Sequence, residues 1–290
     1  EIDRHLRTRA DVEIVPVLGS VADAALVRRT LSEQGIEVVF HAAAHKHVPL
    51  VEANPLEGVR NNVVGTRVLV EAAVAAGVTR FVLISSDKAV RPSSVMGATK
   101  RWAELIVRHY GKGSGLRYCS VRFGNVLGSN GSVVPLFREQ IAAGGPVTLT
   151  DSRMTRYFMS IHEAAELIVQ AGAMAEGGDI FLLEMGQPVR IRDLAENMIR
   201  LAGLSVKSAE NPSGDIAILE TGARPGEKLT EELFFDPANA VRTDQPKILR
   251  APRSGRQAPD LTAALAALTA ALEAEDVPEL RRVLFDFVKG

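Results

Sequence analysis

Apolar and polar positions along the chain follow two alternating periods. Short β-branched runs at 13–18 (EIVPVL), 37–40 (EVVF), 80–85 (RFVLIS), 117–123 (RYCSVRF) and 179–185 (DIFLLEM) read as strands. Between them lie longer segments with apolar residues three and four apart: ADAALVRRTLSEQG, NPLEGVRNNVVGTRVLVEAAVAAG, residues 95–109 and HEAAELIVQAGAMA. These read as helices. Strand and helix in alternation predict βαβ units and a parallel sheet.

Such an α/β chain is expected to form a Rossmann-like, doubly wound sheet, with its ligand crevice at the carboxyl ends of the strands. The run FVLIS is followed at once by the acid Asp87 and the base Lys88, so the pair is predicted to face that crevice. Further along, Met96 precedes Lys100 by four residues and shares its helical face. A fold of this type should open with a strand and a glycine-rich turn, yet no G-x-G-x-x-G occurs near the start. Residues 1–12 look like the end of a helix, and GKGSGL at 111–116 misses the spacing and reads as a polar loop. The expectation is that a first βα unit of ~30 or more residues lies upstream.

From Gly124 the pattern changes to loops rich in Gly, Pro and Arg between short elements, as in GNVLGSNGSVVPLFREQ, GGPVTLT and NPSGDIAILETGARPGEK. We expect a smaller α/β substrate-binding domain threaded through the main one. Residues 1–128 and 161–185 would form the dinucleotide-binding domain, and 129–160 and 186–290 the second domain with the C-terminal helices. Leu261, Leu265, Leu268 and Leu272 make one helical stripe, and Leu280, Val283, Leu284 and Phe287 another. Both stripes suit packing on the chain's own core, with a subunit contact in a homo-oligomer as the alternative.

Composition narrows the function classes. The 290 residues are 46% hydrophobic and 24% charged with a formal net charge of -1, so no overall positive field draws in nucleic acid or an acidic membrane surface. Any anionic ligand must be held by local groups. The single cysteine, Cys119, lies in an apolar run and reads as a buried structural thiol, which fits a reducing cytoplasm. No apolar run reaches the ~20 residues that span a bilayer. His41, His45 and His47 lack a partner set with ligand spacing, so no metal is expected.

Several segments together carry a resemblance: VFHAAAHKHVPLVEANP, NNVVGT, ISSDKAVRPSSVMGATK, VRFGNVLGSNGSVVPLF, MTRYFMS and TGARPGEK. With them the chain resembles the extended short-chain dehydrogenase/reductases, and among these the bacterial nucleotide-sugar 4,6-dehydratases of capsule, O-antigen and glycan biosynthesis. The resemblance runs from residue 1 to about 250. Most of that superfamily has Tyr-x-x-x-Lys; this chain has Met96 in the tyrosine position, similar to the large membrane-anchored branch.

The resemblance implies a redox-neutral reaction on a sugar such as that of UDP-N-acetylglucosamine. Bound NAD takes a hydride from C4, water leaves across C5 and C6, and the hydride returns to C6, giving a 4-keto-6-deoxy sugar. It implies Lys88 as the C5 base, Asp87 as the C6 acid and Ser86 as a hydrogen-bond partner near O4. Lys88 must then act neutral and Asp87 protonated, the reverse of their solution states. Burial works toward the uncharged forms the reaction needs, and adjacency toward the charged pair. Met96 cannot accept the O4 proton, which leaves water, Lys100 or the pair itself.

Lys100 is the expected donor to the nicotinamide ribose. Ala42, Ala43 and Ala44 would let the backbone approach the dinucleotide, with Ser20 and Val21 beside the adenine and Lys46, Asn61, Ser85 and Phe123 completing the cofactor set. Arg156 and Arg224 are expected to grip the diphosphate through their guanidinium forks, with Asn125 and Glu227 on hydroxyl or base edges. A nucleotide-sugar 4-epimerase and a catalytically silent sugar-nucleotide-binding module are the alternatives.

Overall fold

The computed structural model describes residues 6–8, 12–232, 240–252 and 260–289. Six strands form the main sheet: β1 (Val38–His41), β2 (Arg80–Ile84), β3 (Arg117–Arg122), β4 (Asp179–Leu183), β5 (Val241–Arg242) and β6 (Ile248–Arg250). Their spatial order is β1-β2-β3-β4-β6-β5. The first four are parallel, and β6 and β5 add antiparallel rungs at one side. The α/β class with a mostly parallel sheet is therefore as the periodicity predicts.

Helices α1 (Ala24–Glu33), α2 (Gly65–Ala75), α3 (Val95–Gly111) and α4 (Ile161–Met174) cross between strands. Their starts are set by polar caps. Asp23 accepts the backbone N–H groups of Ala25 and Leu26, Ser94 that of Gly97, and Ser160 that of Glu163, satisfying donors that an uncapped helix would strand. Helix α3 buries Val95, Met96, Ala98, Trp102, Ala103, Ile106 and Val107, a stripe that continues the β-sheet core.

Two expectations change. Residues 13–18 form no strand, and Val15, Val17 and Leu18 are exposed. Alternation alone does not make a strand; a ladder partner is required, and among the described residues β1 pairs only with β2. Most of residues 1–12, read as a helix end, lie outside the described residues, although Leu6 and Arg7 are helical.

The second change concerns residues grouped with the smaller domain. Strands β5 and β6 join the main sheet, where Ile248 pairs with Leu183. The C-terminal helices α5 (Leu261–Glu273) and α6 (Val277–Lys289) pack on the first core, where Leu265, Leu268 and Leu284 are buried with Trp102 and Ile106. The Trp102 indole N–H donates to the Leu284 carbonyl at 2.9 Å. A separate apolar cluster holds Phe137, Ile141, Val147, Leu149, Ile191, Ala195, Ile199 and Ile216, beneath a three-stranded sheet of 206–207, 216–220 and 147–149.

Candidate active site

The parallel ladder between β2 and β3 runs two rungs past the end of β2. Ser85 N–H donates to the Val121 carbonyl at 2.8 Å and Asp87 N–H to the Phe123 carbonyl at 3.1 Å. Asp87 is thereby fixed at the carboxyl end of the sheet. The chain then enters a 3₁₀ turn, Asp87–Ala89, whose cap is Ser86. Gly97, in the first turn of α3, lies so close that a Cβ there would sit 2.4 Å from the Lys88 carbonyl oxygen. Only glycine lets the helix start seat on the turn that carries the pair.

Lys88 Nζ donates to Asp87 Oδ1 at 3.0 Å, and Ser86 Oγ donates to the same oxygen at 2.8 Å. Asp87 is 1% exposed, and its other oxygen, Oδ2, is buried without a hydrogen-bond partner among the described residues. A buried carboxylate oxygen left open in this way is capacity for a ligand or a proton. Met96 is buried, and Lys100, one turn further along α3, donates from Nζ to the Ile84 carbonyl at 2.9 Å. Burial pulls the Lys100 ammonium down to about 8, with Glu104 acting in the opposite sense.

Ser85, expected on the cofactor, gives its hydroxyl to Glu104 Oε1 at 2.6 Å. Glu104 in turn accepts from Arg122 Nε and an Arg122 terminal nitrogen at 2.7 and 2.6 Å, and from Arg101 at 3.0 Å. Burial raises the Glu104 carboxyl, but Arg122 above all, with Arg101 and Ser85, holds it at about 2.

On the β1 side, residues 42–44 follow the strand with Ala42 and Ala43 exposed, and Ala44 N–H closes a turn on the Ala42 carbonyl at 2.9 Å. Asn61 donates to the Ala43 carbonyl at 3.4 Å. Its neighbour Asn62, which sequence reasoning passed over, is the central tether. It accepts from His45 N–H at 2.8 Å and donates to the His45 carbonyl and to Thr99 Oγ1, both at 3.0 Å. Both asparagines lie in a π-helical turn, Arg60–Val64, an irregularity often found at functional sites.

His41 is buried against Thr66 at 2.8 Å and, through burial first and then Lys100, is pulled down to about 3. Lys46 is exposed, with burial of its stem lowering its ammonium. Ser20 and Val21 lie beside the start of α2, where a Cβ on Gly65 would meet Val21 at 2.7 Å.

The distal segment 224–232 folds across residues 88–94. Glu227 closes a turn around Gly226 by accepting Arg224 N–H at 3.3 Å, and Ser93 Oγ donates to the Gly226 carbonyl at 3.2 Å. The Arg224 guanidinium is exposed at this turn. Arg156, expected on the diphosphate, is 7% exposed and donates to the carbonyls of Thr155, Leu229 and Lys228 at 2.7, 3.1 and 2.8 Å. Its geometry holds the chain itself. Asn125 N–H donates to the Tyr157 carbonyl at 2.9 Å, and Asn125 is half-buried, as is Phe123, whose carbonyl accepts the Asp87 N–H.

Sequence reasoning missed Glu231. It is 5% exposed, with Oε1 3.6 Å from Lys88 Nζ and 3.8 Å from an Arg156 terminal nitrogen. Its only sequence signal is the acidic pair in LTEE after the RPGEK turn.

The capsular polysaccharide biosynthesis protein CapD of Staphylococcus aureus is 53% identical over 224 residues, 77% of this chain and 36% of that protein. The probable polysaccharide biosynthesis protein EpsC of Bacillus subtilis (strain 168) is 56% identical over 213 residues, 73% of this chain and 34% of that protein. The chain thus spans about a third of the length of these curated relatives.

Among solved structures, Pen from Bacillus thuringiensis superposes with a TM-score of 0.77 at 34% identity, covering 87% of this chain and 75% of that one. DesIV, a dTDP-glucose 4,6-dehydratase from Streptomyces venezuelae with NAD bound, gives 0.69 at 26% identity, covering 78% and 73%. The match to the polysaccharide biosynthesis protein family extends over residues 1–253, and the chain belongs to that family.

Proposed function

We propose that this chain forms the catalytic part of an NAD-dependent nucleotide-sugar 4,6-dehydratase acting on UDP-N-acetylglucosamine. The observation that carries the reading is the contact of the half-buried Lys88 with the buried Asp87 at 3.0 Å, with Asp87 Oδ2 left open. Removing a C5 proton and expelling the C6 hydroxyl takes one base and one acid close together. Transfer of the proton along the Lys88–Asp87 hydrogen bond turns the ion pair into an amine and an acid in place. Lys88 then takes the C5 proton, and Asp87 gives its proton to the departing O6. The ion pair is restored as water leaves.

NAD, when bound, supplies the hydride acceptor at C4 and the hydride donor at C6. The chain's own residues suit its nicotinamide end. Small side chains at 42–44, with Ala42 and Ala43 exposed, leave the backbone approachable, and Lys100 has further ammonium donors beyond the one on Ile84. Ser20, Val21, Lys46, Asn61 and Phe123 complete the cofactor-facing set, with Ser85 acting through Glu104. Lys100, drawn down to about 8, is the proton-exchanging group on the helix face of Met96: having released one ammonium proton to solvent, its amine takes the O4 proton. The exposed Arg224, with Glu227 and Asn125, receives the nucleotide. Arg156 serves by holding residues 228–231 in place.

The 4-epimerase reading draws on relatives such as the UDP-glucose 4-epimerase of Rickettsia rickettsii, 35% identical over 77% of this chain and 63% of that protein. Epimerisation at C4 leaves the Asp87 and Lys88 pair without a task. Incubation with UDP-N-acetylglucosamine and NAD, followed by mass analysis of the sugar, separates the two. A product lighter by one water supports dehydration; an isomer of unchanged mass overturns it.

A further inference from the structure

We infer that Glu231 is a positioning residue for the elimination step, holding Lys88 as a second carboxylate besides Asp87 and stabilising the ammonium that forms as the C5 proton is taken. The inference rests on the dehydratase reading and goes beyond it, since the pair of Asp87 and Lys88 is complete without a third carboxylate.

Three observations carry it. Lys88 Nζ lies between two carboxylates, 3.0 Å from Asp87 Oδ1 and 3.6 Å from Glu231 Oε1. Glu231 is 5% exposed, and its Oε2 is buried with no hydrogen-bond partner among the described residues. Packing alone does not call for a carboxylate there, because burying one in place of an uncharged side chain is costly, and its other cationic neighbour, Arg156 at 3.8 Å, gives its hydrogen bonds to the carbonyls of Thr155, Lys228 and Leu229 instead.

The segment that presents Glu231 is also firmly held. Arg156 donates to the Lys228 and Leu229 carbonyls at 2.8 and 3.1 Å, and Thr155 N–H donates to Leu229 at 3.0 Å. Lys228 Nζ reaches the Val90 carbonyl at 3.2 Å, two residues from Lys88. These two anchors, one on residues 155–156 and one on Val90, hold the carboxylate near Lys88.

The chemistry follows from charge. In the elimination the C5–H bond breaks, its proton joins the Lys88 amine, and the electron pair forms the C5–C6 double bond as the C6–O bond breaks. Positive charge therefore develops on Nζ while Asp87 is giving up its proton to O6. A fixed negative group 3.6 Å from Nζ is worth most at that moment, and it costs no reorganisation. Oxidation at C4 precedes this charge and does not use it. Loss of the Glu231 charge should slow elimination and leave C4 oxidation unaltered.

The test is stopped-flow absorbance of reduced nicotinamide in the Glu231→Gln enzyme with NAD and UDP-N-acetylglucosamine. The expected result is a dehydration rate lower by about 10- to 100-fold. KM should stay within about twofold, and reduced nicotinamide should accumulate transiently where the unsubstituted enzyme shows none. Unchanged turnover, or equal loss of C4 oxidation and dehydration, would overturn the inference.

If Glu231→Gln does not fold, Glu231→Asp keeps the charge and shortens its reach, and the same accumulation is expected; its absence would again overturn the role. An unsubstituted enzyme whose product is altered only at C4 would instead remove the dehydratase reading itself.

Discussion

Two charged clusters stand two residues apart at the end of β2, one closed and one open. In the first, both oxygens of Glu104 are occupied, by Ser85, Arg101 and a two-pronged contact from Arg122. In the second, Asp87 and Glu231 each bury one oxygen without a partner among the described residues. A fully satisfied buried network rigidifies a fold, whereas a partly satisfied one carries a cost that needs a reason. The contrast separates residues that hold the sheet and helix α3 together from residues held ready for a substrate.

The largest expected effect lies in the open cluster. Asp87→Asn and Lys88→Ala should each lower turnover by about 100-fold or more, the range for losing a general acid or base. Sugar-nucleotide affinity should change little. Near-normal turnover in steady-state assays of either variant would erase the distinction between the clusters.

Glu104→Gln should do the reverse. It leaves Arg122 buried opposite a neutral partner, and urea unfolding should show a loss of about 3–5 kcal/mol. A fully stable variant would mean the closed network is not structural.

Acid should expose the same difference. The Glu104 carboxyl is held below its ordinary 4.5 at about 2, so its stabilisation is complete above 4.5 and is lost as pH falls from there toward 2. His41 is held below its ordinary 6.5 at about 3, and the unfolded chain binds that proton first, so stability also declines from 6.5 toward 3. Unfolding measured across this range should become less steep below 4.5 in Glu104→Gln and above 4.5 in His41→Asn. An unchanged slope in both would refute the assignments.

The smallest effect concerns the rim. Arg224→Lys should weaken UDP binding by about 10-fold, because an ammonium cannot reproduce a two-pronged grip on a diphosphate. Equal affinities in calorimetry would remove Arg224 from the site.

What the sequence reveals of this arrangement depends on range. Asp87 and Lys88 stand out because charge follows an apolar strand directly, and the apolar spacing of residues 95–109 marks α3. The closed cluster was missed because its members sit apart in chain order. The available signal was a charge inside an apolar run, in WAELIV and again in SVRFG, each of which demands a buried partner. Glu231 lies more than a hundred residues from Lys88 in a loop with no periodicity, so only the fold joins them. Residues 13–18 alternate like a strand, but alternation names no partner. The stripe of Leu261, Leu265, Leu268 and Leu272 says that a face is buried without saying on which core.

The central claim is that the open cluster exchanges a proton at C5. Its most direct test is conversion of UDP-N-acetylglucosamine in deuterated water, with the sugar followed by proton NMR. The account predicts a 6-deoxy product carrying one deuteron at C5, with neither product nor C5 exchange in Lys88→Ala. Protium retained at C5, or a product that keeps its C6 hydroxyl, would contradict it.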